Sequence, residues 1–220
     1  MVTKSPIGPI LDWQSRHDPA SKGYRTLAAG EEPRSYTWGC DTYLDQGQEG
    51  ACVGHGWAHE IAAKPLPLPA TSPLAFGIYR DAQRLDEWEG EAYSGTSVLA
   101  GAKAAKALGY VGEYRWAFGL QDALATISRR GPVVIGVEWW TGMFRPGSDG
   151  FIRRTGQVEG GHCVLVRGVN VPKRTVLVHN SWGKDWGVGG TALLSWEDFG
   201  LLLAADGECA VVSQRTRPTT

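Results

Sequence analysis

Val178-His-Asn-Ser-Trp-Gly-Lys-Asp-Trp-Gly187 is the stretch on which the reading of this chain turns, together with Glu159-Gly-Gly-His-Cys-Val-Leu-Val-Arg-Gly168 just before it. Each couples a short β-type apolar run to glycine-containing turns. His162 follows two glycines, which leave open space beside its imidazole, as a residue facing a cleft needs. Asn180 stands at the end of the Thr175–His179 run. Its amide oxygen can accept the N–H of His162 and so fix the tautomer and the ring orientation. Trp182 could cover that hydrogen bond and keep water off it.

A third stretch, Asp45-Gln-Gly-Gln-Glu-Gly-Ala-Cys52, leads into Val53-Gly-His-Gly-Trp-Ala-His-Glu-Ile-Ala-Ala63, which reads as a helix rich in small residues. Backbone N–H groups and the dipole at a helix start favour a thiolate on Cys52, and a thiolate is a strong nucleophile. For an arbitrary cysteine an inert buried thiol is the plainer reading. Gln46, held across the turn, can point its amide at the space above the sulfur and join the Cys52 N–H as an oxyanion hole. Gln48 is a rival by composition, and a Gln-Gly turn is often only a turn.

Further helices are expected over 73–88, 97–108 and 121–130, the last two closed by Gly109 and Gly131. Beyond them come the β-type runs 133–137, 163–167, 175–179 and 191–195. Helices first and strands second indicate an α+β fold with two segregated lobes and a ligand cleft between them. Residues 1–36 show little periodicity and read as an N-terminal arm laid over the body.

Composition narrows the function classes. The chain has 220 residues, 22 Lys+Arg against 23 Asp+Glu and 42% hydrophobic residues, enough for a sizeable core and too apolar for disorder. The balanced charge gives no reason to expect nucleic acid or an anionic membrane as partner. Nothing approaches the ~18 apolar residues of a membrane span, and the start does not read as a secretory leader. The 30 glycines are about twice the usual share of ~7%, and the 10 tryptophans suggest flat packing surfaces, some of them lining a substrate. Four cysteines without zinc-ribbon spacing fit a reducing, cytoplasmic setting.

Gln46…Cys52, Gly161-His162 and Asn180-Ser-Trp182-Gly…Trp186-Gly187 resemble the signatures of papain-like cysteine peptidases over roughly residues 38–200. Gly95-Thr-Ser97 leading into an Ala/Lys helix, then Gly109-Tyr-Val-Gly-Glu113, is similar to the bacterial and viral branch. The resemblance implies a papain-like two-lobed fold: a helical lobe over 37–124 carrying Cys52 and a β-barrel-like antiparallel lobe over 125–220 carrying His162 and Asn180. It implies a cysteine endopeptidase acting on a polypeptide as a monomer, with no cofactor and no metal. Cys52 and His162 would form a thiolate–imidazolium pair, Asn180 would orient His162, and Gln46 with the Cys52 N–H would hold the oxyanion. Gly95 and Thr96 would line the substrate's path, Gly136 and Gly161 a roomy side-chain pocket, and Trp182 the site's edge.

Two departures and several alternatives accompany that resemblance. The stretch before Cys52 lacks the cysteine of the family's usual disulfide, and Val53 replaces an aromatic residue. Only 45 residues precede Gln46, too few for a long inhibitory propeptide, and whether the arm blocks the cleft stays open. A catalytically silent binding module, or a hydrolase or transpeptidase acting on a non-protein amide, are the alternatives. Cys52, His55 and His59 on one helix could hold zinc, though packing inside the lobe is the plainer role for the two histidines. Cys163 should face away from the cleft as a small core residue, and Cys40 could pair with Cys209.

Overall fold

The computed structural model describes residues 11–14, 23–26, 28, 30–88 and 93–218; residues 1–10, 15–22, 27 and 29 of the expected arm lie outside these. In chain order the elements are β1 (Tyr36–Thr37), α1 (Cys52–Ala62), α2 (Ser72–Leu85), α3 (Val98–Ala107), β2 (Val111–Trp116) and α4 (Gly119–Arg129). Then follow β3 (Val133–Trp140), β4 (Val158–Asn170), β5 (Thr175–His179), β6 (Thr191–Ser195), α5 (Trp196–Ala204) and β7 (Glu208–Arg215). Local chemistry sets several starts. Thr71 accepts the Leu74 N–H at 3.4 Å ahead of α2, with Pro73 in the first turn where its missing N–H costs nothing. Ser97 caps α3 through the Ala100 N–H at 3.1 Å, and Ser195 caps α5 through the Asp198 N–H at 3.0 Å.

The strands form one antiparallel sheet in the order β2-β7-β3-β4-β5-β6, with β1 added against β4. This is the expected α+β arrangement, but the sheet is open, with β2 and β6 at its two ends. The order of helices and strands is also less tidy than expected. β2 lies between α3 and α4 and joins the sheet through β7, and α5 falls between β6 and β7. The run over α5 contains Gly200 and three consecutive leucines, a short apolar stretch that periodicity alone does not assign.

Alternation along β3 divides the core between the two faces of the sheet. Val133, Ile135 and Val137 pack with Leu124 and Ile127 of α4 and Phe199 and Leu202 of α5. Val134, with Cys163 and Leu165 of β4, faces Val53 and Trp57 of α1 and Leu99 of α3. α4 runs through residues 124–125, and its buried residues lie with the first of these clusters. Helix α1 lies directly against the sheet at Gly56. A Cβ there would lie 3.0 Å from Cys163 Sγ and 3.3 Å from Val134 Cγ1, so glycine sets the depth at which the helix beds down.

The far end of α1 is tied by charge. Glu60, 2% exposed, is paired with Arg215 of β7. Burial pushes the Glu60 carboxyl up, and the Arg215 guanidinium pulls it back down. Replacing Arg215 by Met strands a buried carboxylate, at an expected cost of about 3–5 kcal/mol in urea unfolding near pH 7. The Glu60 carboxyl already lies above its ordinary value, and with Arg215 gone it rises further. Protonation then favours the fold, so the deficit should shrink as pH falls towards 4. A deficit that is the same at pH 4 and pH 7 would show that the pair carries no such charge coupling.

Candidate active site

The β4–β5 register aligns Leu165 with His179 and Val166 with Val178. Projected beyond the paired residues, it brings position 162 opposite 182 and position 164 opposite 180. His162 and Asn180 therefore meet at one end of the ladder. His162 Nε2 lies 2.8 Å from Asn180 Oδ1. The Ser181 N–H also donates to Asn180 Oδ1 at 2.8 Å, which fixes the oxygen end of that amide towards the imidazole. Nε2 must then carry the proton, leaving Nδ1 of the neutral ring as the basic nitrogen. Trp182 stacks on His162 with centroids 4.7 Å apart and planes 27° apart, and Trp139 meets the ring edge-on at 4.7 Å.

Cys52 is the first residue of α1. The preceding Ala51 offers no side-chain cap to the first-turn N–H groups. The seat of Gly56 on Cys163 puts Cys52, one turn earlier, towards the end of the strand that holds His162. Gln46 is drawn to the same place by a short antiparallel contact between residues 44–46 and 181–183. Its N–H donates to Ser181 O at 2.9 Å, and the Gly183 N–H donates to Leu44 O at 3.2 Å. The Gln46 side chain accepts the Ser181 hydroxyl at 2.7 Å and donates to Glu49 O at 2.8 Å. Ser181, which sequence reasoning passed over as part of a motif, thus orients both amides.

The cleft between Cys52 and the residues expected to line it is filled by the chain itself. The Trp13 N–H donates to Gly161 O at 2.9 Å, and the Gln14 N–H donates to Thr96 O at 3.2 Å. A Cβ at Gly95, whose φ is +90°, would fall 1.6 Å from Asp12 O; one at Gly136 would fall 2.0 Å from Trp13 Nε1. Gly95, Thr96, Gly136 and Gly161 all border residues 12–14, Thr96 by its backbone, since its hydroxyl turns to Asp86 at 2.6 Å. Trp182 lies apart from them. It lines, with Phe144, Pro146 and Trp186, an open cavity of about 500 Å³.

One residue of this cleft gave no signal in the sequence. Glu208, at the head of β7 opposite Gly136, accepts the Trp13 indole N–H at 2.8 Å. A lone acid before an apolar run reads as a strand edge. Its role is visible only once the indole is seen to pass over Gly136.

The remaining histidines and cysteines are engaged within the fold. His55 Nδ1 donates to Ala51 O at 2.9 Å, and His59 Nε2 accepts the Leu44 N–H at 3.0 Å. Among the described residues no group of three or more His, Cys, Asp or Glu is disposed to hold a metal ion. All four cysteines are free thiols, Cys40 and Cys209 included, and Cys163 is buried between α1 and the sheet. No helix among the described residues is long and apolar enough to cross a membrane.

Residues 77–216 match the model of the papain family of cysteine proteases. The chain belongs to that family. The matched stretch contains His162 and Asn180, while Cys52 and Gln46 precede it. The protease superposes on xylellain, a cysteine protease from Xylella fastidiosa, with a TM-score of 0.69 at 17% identity, over 99% of this chain and 98% of that one. It superposes on procathepsin B S9 from Trypanosoma congolense with a TM-score of 0.66 at 16% identity, over 98% and 84% of the two chains. A bromelain protease from Ananas comosus gives 0.57 at 15% identity, over 81% and 97%. At such identities the likeness is one of fold. No curated protein matches this chain.

With its cleft filled, the protease holds its thiol and imidazole away from charge. Burial pushes Cys52 up to about 11, against smaller opposing hydrogen bonds. Burial also pushes His162 down to about 4, although the Asn180 bond works the other way. Both shifts favour the neutral forms while the cleft is covered. Alkylation of Cys52 by iodoacetamide in the full chain should therefore rise about tenfold per pH unit from 7 to 10. A labelling rate already at its plateau at pH 7 would contradict this.

Proposed function

We propose that this cysteine protease is an endopeptidase in which Cys52 is the nucleophile, His162 the proton carrier, Asn180 the group that orients it, and Gln46 with the Cys52 N–H the oxyanion hole. One observation carries the reading: an internal stretch of polypeptide, residues 11–14, runs through the cleft beside Cys52, its backbone N–H groups donating to carbonyls on both walls. A site that accepts the middle of a chain suits cleavage within a chain. The same observation favours a polypeptide over a non-protein amide.

The chemistry follows from the tautomer. His162 Nδ1 takes the proton of Cys52 as the sulfur attacks the peptide carbonyl carbon, and the carbonyl oxygen becomes an oxyanion. Donors at Gln46 Nε2 and the Cys52 N–H offset that charge in a site largely closed to water. Collapse of the adduct breaks the C–N bond, and the amine leaves with the proton from Nδ1. Water then attacks the thioester, giving a proton to Nδ1; the C–S bond breaks and the thiol is restored. Asn180 acts by holding Nε2–H, which keeps Nδ1 aimed at the sulfur.

The test is hydrolysis of an unfolded protein substrate by the Trp13→Ala chain, with products identified by mass spectrometry. Internal cleavage should be seen, should vanish in Cys52→Ala and His162→Ala, and should fall in kcat by about 10²–10³ in folded Gln46→Ala. Turnover that survives Cys52→Ala would overturn the assignment. A folded chain with no turnover on any peptide would favour the silent binding module.

A further inference from the structure

The loop that carries Gln46 is held from two directions by histidines that the chemistry at Cys52 does not use. On one side His59 of α1 accepts the Leu44 N–H through Nε2 at 3.0 Å. On the other, His179 at the end of β5 donates from Nε2 to Thr42 O at 3.0 Å, and its Nδ1 accepts from Arg167 Nε at 3.2 Å. The two rings meet with centroids 4.4 Å apart, and Tyr43, between the two bonded loop residues, stacks on His179 at 4.6 Å. Further along, Leu44 O accepts the Gly183 N–H, and the Gln46 N–H donates to Ser181 O. The loop is thus bonded at every second residue, 42, 44 and 46, and the histidines supply the first two of those bonds.

Both bonds to the loop demand a neutral imidazole. A ring that accepts at Nε2 has its one proton on Nδ1, and a ring that accepts from Arg167 at Nδ1 has its proton on Nε2. A second proton on His59 would set two N–H groups against each other at Leu44. On His179 it would set one against the Arg167 guanidinium. The groups around the pair are His55 one turn earlier on α1, Arg167 of β4, Cys40 and Tyr43 beside the loop, and Lys184 over the Tyr43 ring at 5.6 Å. The loop's own acids, Asp41 and Asp45, bond to neither ring, so no carboxylate supports a positive charge there. Burial, with His179, His55 and Arg167 nearby, holds His59 well below the ordinary histidine value; burial with Arg167 holds His179 down to about 4.

Packing alone does not call for a histidine at position 59. Its Nδ1, which carries the proton, is buried without a partner among the described residues, a cost that an aliphatic side chain would avoid. What the imidazole supplies in return is the acceptor that fixes Leu44, two residues before Gln46.

We propose that His59 and His179 are positioning residues: as a pair of neutral rings they hold residues 42–44 against 179–183, and through that loop they keep the Gln46 amide aimed at the oxyanion, a hold that is released when the pair takes up protons. The inference rests on the reading of Gln46 as an oxyanion donor, but its first measurement reads the loop and not turnover. Released rings protonate near the ordinary value of 6.5, and held rings only well below it. Lowering the pH between those limits therefore favours release, and raising it favours the hold.

The experiment is amide hydrogen exchange at Gln46 and Gly183 in the wild-type full chain at pH 7 and pH 5. Rates are corrected for the intrinsic effect of pH, and the β3 amides serve as the reference for global opening. Neither amide is bonded to a histidine. Their protection relative to β3 should fall about tenfold or more from pH 7 to pH 5. At pH 7 it should be lower than wild type in His59→Leu and in His179→Phe, and close to wild type in His59→Gln, whose amide oxygen can still accept the Leu44 N–H. In the Trp13→Ala chain, His59→Leu should lower kcat by about tenfold with KM little changed, because the oxyanion exists only in the transition state. Added to Gln46→Ala it should lower kcat no further. Protection that is unchanged by acid and by both variants would overturn the proposal, and so would a His59→Leu loss in kcat that is as large in the Gln46→Ala chain. If His59→Leu does not fold, His179→Phe and the wild-type pH dependence decide by the same criteria. A Gln46→Ala chain as fast as its parent would remove Gln46 from the oxyanion hole and leave the histidines' hold on the loop standing; a slow Gln46→Ala chain with unchanged exchange would do the reverse.

Discussion

The bedding of α1 on the sheet, at Gly56 against Cys163 and Val134, is the contact on which the rest of the site depends. Cys52 and His162 belong to elements far apart in sequence, and no hydrogen bond of the ladder joins them. Where they lie relative to each other is decided by how close the helix can come to β4 and at what point along it. Gly56 sets the distance, because a side chain there would press on a thiol in the dense core between the layers. The Glu60–Arg215 pair at the other end of the helix sets its position along the sheet. From those two fixed points the first residue of α1 follows.

The sheet side of the site has its own geometry, set by register. Once Leu165 pairs with His179, the ends of β4 and β5 must bring His162, Asn180 and Trp182 together. The loop carrying Gln46 is then stitched to Ser181 and Gly183. His179 reinforces the stitch by donating from Nε2 to Thr42 O at 3.0 Å, while its Nδ1 accepts from Arg167 at 3.2 Å. Burial holds His179 down to about 4, so this connection stays neutral at ordinary pH.

Much of this was legible in the sequence, and the reasons are local. Helix α3 announces itself by an alanine-rich run with a Ser97 cap and Gly109 beyond it, and β3 to β6 by short apolar runs between turns. Asn180, His162 and Cys52 stand out because each chemistry-bearing residue sits beside glycine or at an element's end. What was not legible depends on tertiary contact. β2 and β7 pair across nearly a hundred residues, and neither has a turn partner in sequence to signal it. Glu208 has meaning only opposite Gly136, and Trp13 only when the arm crosses the cleft. The arm could be placed over the body from its composition, but composition does not say which surface it covers.

A covered cleft also changes how the thiol and imidazole are to be understood. The same groups are neutral when buried, and become a reactive pair only where water or a substrate's dipoles can support charge. Burial is what disfavours the charged forms of Cys52 and His162 in the covered cleft.

The most direct measurement is the intact mass of the Trp13→Ala chain quenched in acid during turnover of an activated peptide ester, followed by mapping of the adduct. The expected result is an acyl group carried as a thioester on Cys52, absent from His162→Ala quenched at the same time after mixing. Ester turnover with no adduct on Cys52, or with the acyl group on another residue, would contradict the account.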